Sequence, residues 1–316
     1  LTLAALLVAY IPQLYLFIQE GNRAISAEQR SVAQVAASTV ADFFKVRFDV
    51  LETAAKLGNF SAAARQDKET VLANLLGLQP AFRQLAFFDV QGRGQVRTSR
   101  LSQVASGDLL ERVGGDWLSQ LQQGHRYIGP VYVDEATSEP LVIMAVPVQD
   151  IFGDFQGALL AEVSLKFMWD LVGRLKIGEA GQAYVVDKLG NLIAIGDTSR
   201  VLRGENVRHL SLIAEFINAA TPADQGVTHW LRGIDASWVV GTYVPLGVPD
   251  WAVVIELPLV EGAGPFIGSL LISFVTTLVI AAIVSGVAAY AARRLAAPLL
   301  NLTATAVEIS GGRLAL

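Results

Sequence analysis

Gln84-Leu-Ala-Phe-Phe-Asp89-Val-Gln-Gly92 reads as an apolar strand that runs into a tight turn, and Ala183-Tyr-Val-Val-Asp187-Lys-Leu-Gly190 repeats it. Each copy is a run of β-favouring residues, an Asp, two further residues and a Gly, the composition of a hairpin loop. The likeness continues downstream. After the first copy come Leu141-Val-Ile-Met-Ala-Val-Pro147, a Gly-containing loop and Ala158-Leu-Leu-Ala-Glu162. After the second come Trp238-Val-Val-Gly-Thr-Tyr-Val-Pro245, a Gly-Pro loop and Trp251-Ala-Val-Val-Ile-Glu256. Asp89 lies 58 positions before Pro147, and Asp187 lies 58 positions before Pro245. Matched order, composition and spacing predict two copies of one α+β unit. Each unit has about five strands in a half-buried antiparallel sheet, with a helix between the early hairpin and the late pair.

Outward from these units the chain becomes helical, then apolar. Residues 22–57 hold no Pro and no internal Gly. Their apolar residues Val32, Ala36, Val40, Phe43, Val46, Val50, Ala54 and Leu57 recur at the spacing of one helical face. This predicts a stalk helix that also carries a domain on its flank. Of the 316 residues, 53% are hydrophobic and only 17% charged, below the quarter usual for soluble proteins. The excess lies at the ends. Leu1 to Ile18 has no charged residue, and Phe266 to Ala292 is a run of 27 without one. About 20 apolar residues span a bilayer as a helix, so the second run is a membrane span. The first is slightly short and begins at Leu, as in a fragment lacking its true start. A cleaved signal peptide reads similarly, but no A-x-A-type site ends the run, which favours a retained helix.

Arg293 and Arg294 mark the cytoplasmic end of the second span. Residues 19–265 are therefore expected outside the membrane, in a two-pass arrangement facing lipid at both ends. The chain has no Cys, so disulfides and thiolate chemistry are excluded. A net charge of −5 gives no polybasic footprint, which excludes nucleic acid as a partner. His125, His209 and His229 show no metal-binding spacing, and no hydrolase, zinc-protease or P-loop pattern occurs. Neither a cofactor nor catalysis is expected of this segment. Gly262-Ala-Gly264 precedes a membrane span and reads as a flexible joint.

In order, these features resemble the double-Cache receptors of bacteria. The resemblance rests on Tyr127-Ile-Gly-Pro-Val-Tyr132, Pro140 and Val146-Pro-Val148 in the first unit. In the second it rests on Ile177-Gly-Glu-Ala-Gly181, Ala183-Tyr-Val-Val-Asp187 and Pro249-Asp-Trp251-Ala-Val-Val. Arg294 to Leu314, with Pro298 and Ile309-Ser-Gly-Gly-Arg-Leu314, is similar to the start of a HAMP linker. The resemblance implies a long stalk helix with two tandem PAS-like modules, flanked by two transmembrane helices. On that plan residues 1–18 are the first transmembrane helix and 19–77 the stalk and its helical lead-in. The membrane-distal module is 78–168, the membrane-proximal one 169–260, the second span 266–292, and 293–316 begins HAMP. The implied function is sensing of a small molecule in the distal module and signalling through the second span to HAMP, in a histidine kinase, chemoreceptor or cyclase. The rival reading is a structural or accessory membrane subunit whose ectodomain binds a protein.

Candidate ligand-binding residues cluster at Trp117, Arg126, Tyr127, Tyr132 and Asp134, with Glu162 interrupting an apolar strand. Arg126 suits a ligand carboxylate in bidentate fashion, and the aromatics suit a ligand body or a cation. Packing roles explain each of these residues equally well. By the resemblance, Glu162 stands where amino-acid-binding members place an Asp for the ligand's ammonium. Those members also carry an Arg, any residue and two aromatics, whereas here Arg126 is followed by Tyr-Ile-Gly. The ligand class thus stays open among organic acids, amines and amino acids. Glu256, in the matching place of the second unit, is expected at an edge or facing solvent. Asp187 and Gly190 are expected to form a turn, and Trp230, Trp238 and Trp251 to sit in a core. The stalk stripe and, in the span, Ala282, Gly286 and Tyr290, or alternatively Ser285 and Ala289, suit a homodimer.

Overall fold

The computed structural model describes residues 2–100, 109–135, 137–175, 177–219, 229–259 and 271–291, with 261, 268 and 294 besides. It divides into a unit of residues 26–259 and a second unit formed by the two ends of the chain. One helix, α1 (Thr2–Leu57), runs for 56 residues without a break. The first module follows as α2 (Arg65–Leu78), β1 (Phe82–Phe88), β2 (Gly94–Ser99), α3 (Leu109–Arg112), α4 (Trp117–Gln122), β3 (Tyr127–Ile128), β4 (Tyr132–Val133), β5 (Pro140–Gln149) and β6 (Phe155–Ser164). The second is α5 (Lys166–Arg174), β7 (Gln182–Asp187), β8 (Leu192–Ile195), α6 (Thr198–Leu202), α7 (Ser211–Asn218), β9 (His229–Arg232), β10 (Trp238–Pro245) and β11 (Trp251–Pro258).

The two sheets have the same topology. Strand order is β2-β1-β6-β5-β3 in the first, with β4 added to β5, and β8-β7-β11-β10-β9 in the second, all pairs antiparallel. Equivalent positions match to the residue: Gln84 faces Glu162 across β1 and β6, and Gln182 faces Glu256 across β7 and β11. The α+β architecture read from the repeated hairpins is the one observed.

The sheets are not half-buried. Every residue of β1 is buried, as are most of β5 and β6. Both faces are covered, which is why these strands read as unbroken apolar runs. On one face Leu85, Phe87, Leu159, Ala161 and Val163 join a core that continues through α1 into Val185, Val253 and Ile255 of the second sheet. On the other, Ala86, Phe88, Ala158 and Leu160 pack beneath Leu109, Trp117 and Leu121 of α3 and α4.

The buried face of α1 is Ala33, Ala37, Val40, Phe44, Phe48, Leu51 and Ala55. Phe44 meets the Trp251 ring edge-on at 5.2 Å. The expected stripe coincides with this face only in its first half. Val46 and Leu57 are exposed, and with Val50, Ala54, Val71 and Leu75 they line an apolar groove of about 490 Å³ between α1 and α2. Bulky Phe44 and Phe48 set the true face, because an aromatic ring buries more area than a Val or Ala at a neighbouring angle.

Three turns share one device. In each of Asp89, Asp150 and Asp187, Oδ1 accepts from the backbone N–H two and four residues on. Gly92, Gly153 and Gly190 close these turns at φ +76°, +90° and +82°, where a side chain is strained. Asp187 and Gly190 are thus turn formers as expected, while the Asp150 copy went unnoticed in the sequence. Of the tryptophans, Trp251 is buried but Trp238 is exposed at the start of β10. The Trp230 side chain lies outside the described residues.

Among the described residues of the second unit is a helix, Leu271–Ala291, of 21 residues, with an 18-residue stretch of mean hydropathy 2.4. At 1.5 Å per residue it is about 30 Å long, the thickness of a hydrocarbon core. Its large side chains, among them Leu271, Ile272, Phe274, Val279, Ile283 and Val287, are exposed. The HAMP-like stretch and the Gly262–Gly264 joint lie outside the described residues.

Candidate functional site

A β-bulge starts the site. Pairing between β1 and β6 shifts register between Phe82 and Gln84, so Arg83 is the extra residue. Bulges re-aim side chains, and this one brings a cation into the edge of the core. Arg83 Nη2 donates to Asp134 Oδ2 at 2.8 Å, and Nη1 donates to Glu139 Oε2 at 2.8 Å and Thr137 Oγ1 at 2.9 Å. Its Nε lies 3.9 Å from Glu162 Oε2. The Arg83, Asp134 and Glu162 side chains are all at least nine-tenths buried, at 9%, 7% and 4% exposure.

The pleat of β6 places Glu162 on the face covered by α3 and α4, in line with Ala158 and Leu160. The Tyr132 hydroxyl donates to Glu162 Oε1. Arg112, at the end of α3, lies over the Tyr132 ring at 4.6 Å from its centroid. Burial, then the hydrogen bond and charge of Glu162, push the Tyr132 phenol well above its ordinary range, so it stays a donor. Burial also works against the Asp134 charge, but the Thr137 hydroxyl and the Arg83 guanidinium outweigh it and hold that carboxyl below its usual range. The Thr137 N–H and hydroxyl both donate to Asp134 Oδ2, at 3.1 and 2.6 Å.

Of the six candidates, the fold brings Tyr132, Asp134 and Glu162 together. Trp117 lies in the apolar layer beside them, edge-on to Phe88 at 5.7 Å, and Tyr127 is buried in that layer with its hydroxyl 3.4 Å from the Val113 carbonyl. Arg126 turns the other way. Its Nε donates to Glu52 Oε1 at 2.6 Å, Nη2 reaches Asp49 Oδ1 at 3.4 Å, and the guanidinium lies 5.1 Å from the Phe48 ring centroid. It ties β3 to α1 and does not join the cluster. Arg83 and Arg112 were missed. The signal was present in Phe82-Arg83-Gln84-Leu85, two polar residues entering an otherwise apolar strand, but the bulge that aims Arg83 has no sequence signature here.

A cleft of about 400 Å³ opens on this face of the sheet, lined by Ala86, Phe88, Val96, Arg97, Leu109 and Leu110 among others. The second module has the same carboxylate in a closed setting. Glu256, expected near solvent, is 3% exposed. Its Oε1 accepts from the Tyr184 hydroxyl at 2.6 Å and its Oε2 from the Ile234 N–H at 2.9 Å. Burial raises its pKa, and the bonds from Tyr184 and Ile234 only partly offset this. A recess nearby is lined by Arg200, which is already matched by Glu205 and Asp235. Among the described residues no group of His, Cys, Asp and Glu gathers as metal ligands.

A family model for the Cache domain, of the double-Cache type, matches residues 19–265. The chain belongs to this family. Its fold is similar to that of the ligand-binding domain of the Pseudomonas aeruginosa PAO1 amino-acid chemoreceptor PctC, solved in complex with GABA. Identity there is 19% and the TM-score 0.56, over 73% of this chain and 99% of that one. It is similar also to the sensory domain of the Campylobacter jejuni chemoreceptor Tlp3 with isoleucine bound, at 13% identity and TM-score 0.57, over 77% and 96% of the two chains. The PctB ligand-binding domain of P. aeruginosa PAO1 with L-Gln gives 18% and 0.55, over 74% and 91%. At these identities the likeness is one of fold. No curated protein sequence matches the chain.

Proposed function

We propose that this chain is the extracytoplasmic sensing and transmembrane signalling region of a bacterial receptor, with a small molecule bound in the first module at Glu162, Tyr132, Asp134 and Arg83. The observation that carries the assignment is the contrast between the two buried glutamates. Both oxygens of Glu256 are taken by its own module, whereas among the described residues the nearest partner of Glu162 Oε2 is Arg83 at 3.9 Å, and Glu162 shares its sheet face with Ala86 and Phe88 of the cleft wall. A polar group so placed in apolar walls is what orients a ligand. The bound solutes of PctC, Tlp3 and PctB support amino acids or related amines and acids as the class to try first.

In this reading α1 carries the signal, since its buried stripe packs on both sheets and Arg126 fastens β3 to it. The Leu271–Ala291 helix crosses the bilayer towards HAMP, with Arg293 and Arg294 inside, and α1 begins in the membrane as the first span. Only a ligand with unequal affinity for two states shifts such a device. The exposed half of the α1 stripe then serves a homodimer.

The test is a thermal-shift screen of the full chain in lipid nanodiscs against small metabolites, since a ligand of the folded form raises its melting point. At least one compound is expected to raise Tm, and Glu162→Gln is expected to abolish that rise. A screen without a hit, or a hit indifferent to Glu162→Gln and Tyr132→Phe, sinks the proposal.

A further inference from the structure

Among the described residues a buried polar atom near the cleft is without a partner, and its chemistry names a ligand class. Gln84 is fully buried on β1, and its Oε1 accepts from Arg97 Nη2 at 3.0 Å. A guanidinium only donates, so this bond fixes the amide with its oxygen towards Arg97. The Nε2 group is left with two N–H donors, and among the described residues it meets no acceptor. A buried donor left unsatisfied is costly. Gln84 shares its face of the strand with Ala86 and Phe88, both of which line the cleft, and stands two residues, about 7 Å, from Ala86. Arg97, itself part of the cleft wall, has no carboxylate partner among the described residues; the acceptor it does have is the neutral Gln84 amide. By contrast Arg83 is paired with Asp134 and Glu139, and Arg65 with Glu69.

Resting on the sensor reading above, we propose that the ligand of this cleft is a small monocarboxylate with an apolar body. Its carboxylate accepts from Gln84 Nε2 and Arg97, and its hydrocarbon part lies against Phe88, Leu109 and Leu110. Gln84 Nε2 and Arg97 only donate, so an ammonium group gains nothing from them.

The experiment compares matched probes on the full chain in nanodiscs by calorimetry: butyrate, 4-methylpentanoate, octanoate and phenylacetate as acids, L-leucine as the amino acid, and 3-methylbutylamine as the cation. At least one acid is expected to bind, with 3-methylbutylamine inert and leucine no tighter than 4-methylpentanoate. Gln84→Met and Arg97→Gln are each expected to weaken the acid about 10- to 100-fold, the loss of a hydrogen bond to a charged group. Arg97→Gln is a surface change and keeps the test open if Gln84→Met does not fold. Binding of leucine or the amine alone, lost in Glu162→Gln, leaves the sensor reading standing and overturns the carboxylate assignment. Acid binding unchanged in the variants overturns it as well, and so does the failure of every acid to bind.

Discussion

Replacing Arg83 by Leu removes the cation bonded to one deeply buried carboxylate and close to a second. Asp134 Oδ2 lies 2.8 Å from its Nη2, Glu162 Oε2 lies 3.9 Å from its Nε, and the three side chains are at most 9% exposed. Glu139 is one-third exposed and falls back on water. Removing one partner of a buried pair costs about 3–5 kcal/mol, because the charge left behind has neither water nor counterion. For an ectodomain of this size each kcal/mol is worth about 2–4 °C, so Tm should fall by roughly 10 °C. Arg83→Lys keeps the charge and loses the fork, and should cost only about 1–2 kcal/mol. The pH dependence gives a second reading. In the native protein Asp134 is held below its usual pKa, so its contribution is present above the ordinary carboxylate range and is lost as pH falls through the depressed value. In Arg83→Leu the buried Asp134 loses its guanidinium partner, and its folded pKa rises. Acidification then relieves the variant before it harms the parent, and the gap in Tm narrows between pH 7 and pH 4. Thermal unfolding of both proteins in nanodiscs across that range measures it. A loss under 1 kcal/mol with a gap constant in pH would refute the account of Arg83 as the compensating charge.

Glu256 carries the opposite sign: its pKa is raised by burial, so its contribution is full below the unfolded carboxyl pKa of about 4.3 and fades as pH rises through the folded value. Glu256→Gln should therefore lose ground to the parent at pH 4.5 relative to pH 7.5, and a difference in Tm that ignores pH contradicts this. Gly190→Ala should destabilise by about 1–3 kcal/mol, since a Cβ there combines φ +82° with a 2.7 Å approach to Arg208 Cβ, and urea melts read the change. Arg126→Gln should cost under about 1 kcal/mol, because its pairs with Asp49 and Glu52 are partly exposed and salt-screened, and should leave ligand affinity in the screen unaltered. Cysteines placed singly at Val46 and Leu57 on the exposed side of α1 should form symmetric cross-links in membranes while one at the buried Leu51 does not, and the absence of any such link speaks against the homodimer.

The fold was legible because its signals are local and doubled. A strand that ends in Asp-x-x-Gly announces a turn through side-chain geometry confined to five residues, and meeting it twice at equal spacing announced two modules. The face of α1 was only half legible. Apolar residues lie on two sides of that helix beyond Phe43, and choosing between them needs the position of Trp251, which is 207 residues further on than Phe44. Arg126 failed for a similar reason: its type and neighbours suit an anion, but the carboxylates that claim it sit on α1 at Asp49 and Glu52, and sequence distance hides them.

The two glutamates show what the sequence withholds about a site. Glu162 and Glu256 occupy equivalent strands, face equivalent glutamines and each accept from a tyrosine. Yet those tyrosines are not equivalent: Tyr132 lies on β4, which has no counterpart among the described residues of the second sheet, whereas Tyr184 lies on β7. The second module needs no ligand to satisfy its carboxylate, because the turn after β9 supplies the Ile234 N–H, and Gly233 permits the approach, a Cβ there falling 2.3 Å from Glu256 Oε2. Among the described residues the first module has no such turn at Glu162; there Arg112 lies over the Tyr132 ring, and Arg97 stands in the wall of an open cleft. One repeated framework thus yields a closed module that holds its own carboxylate and an open one with donors to spare. The difference lies in the segments between the repeated strands, where the two copies no longer match.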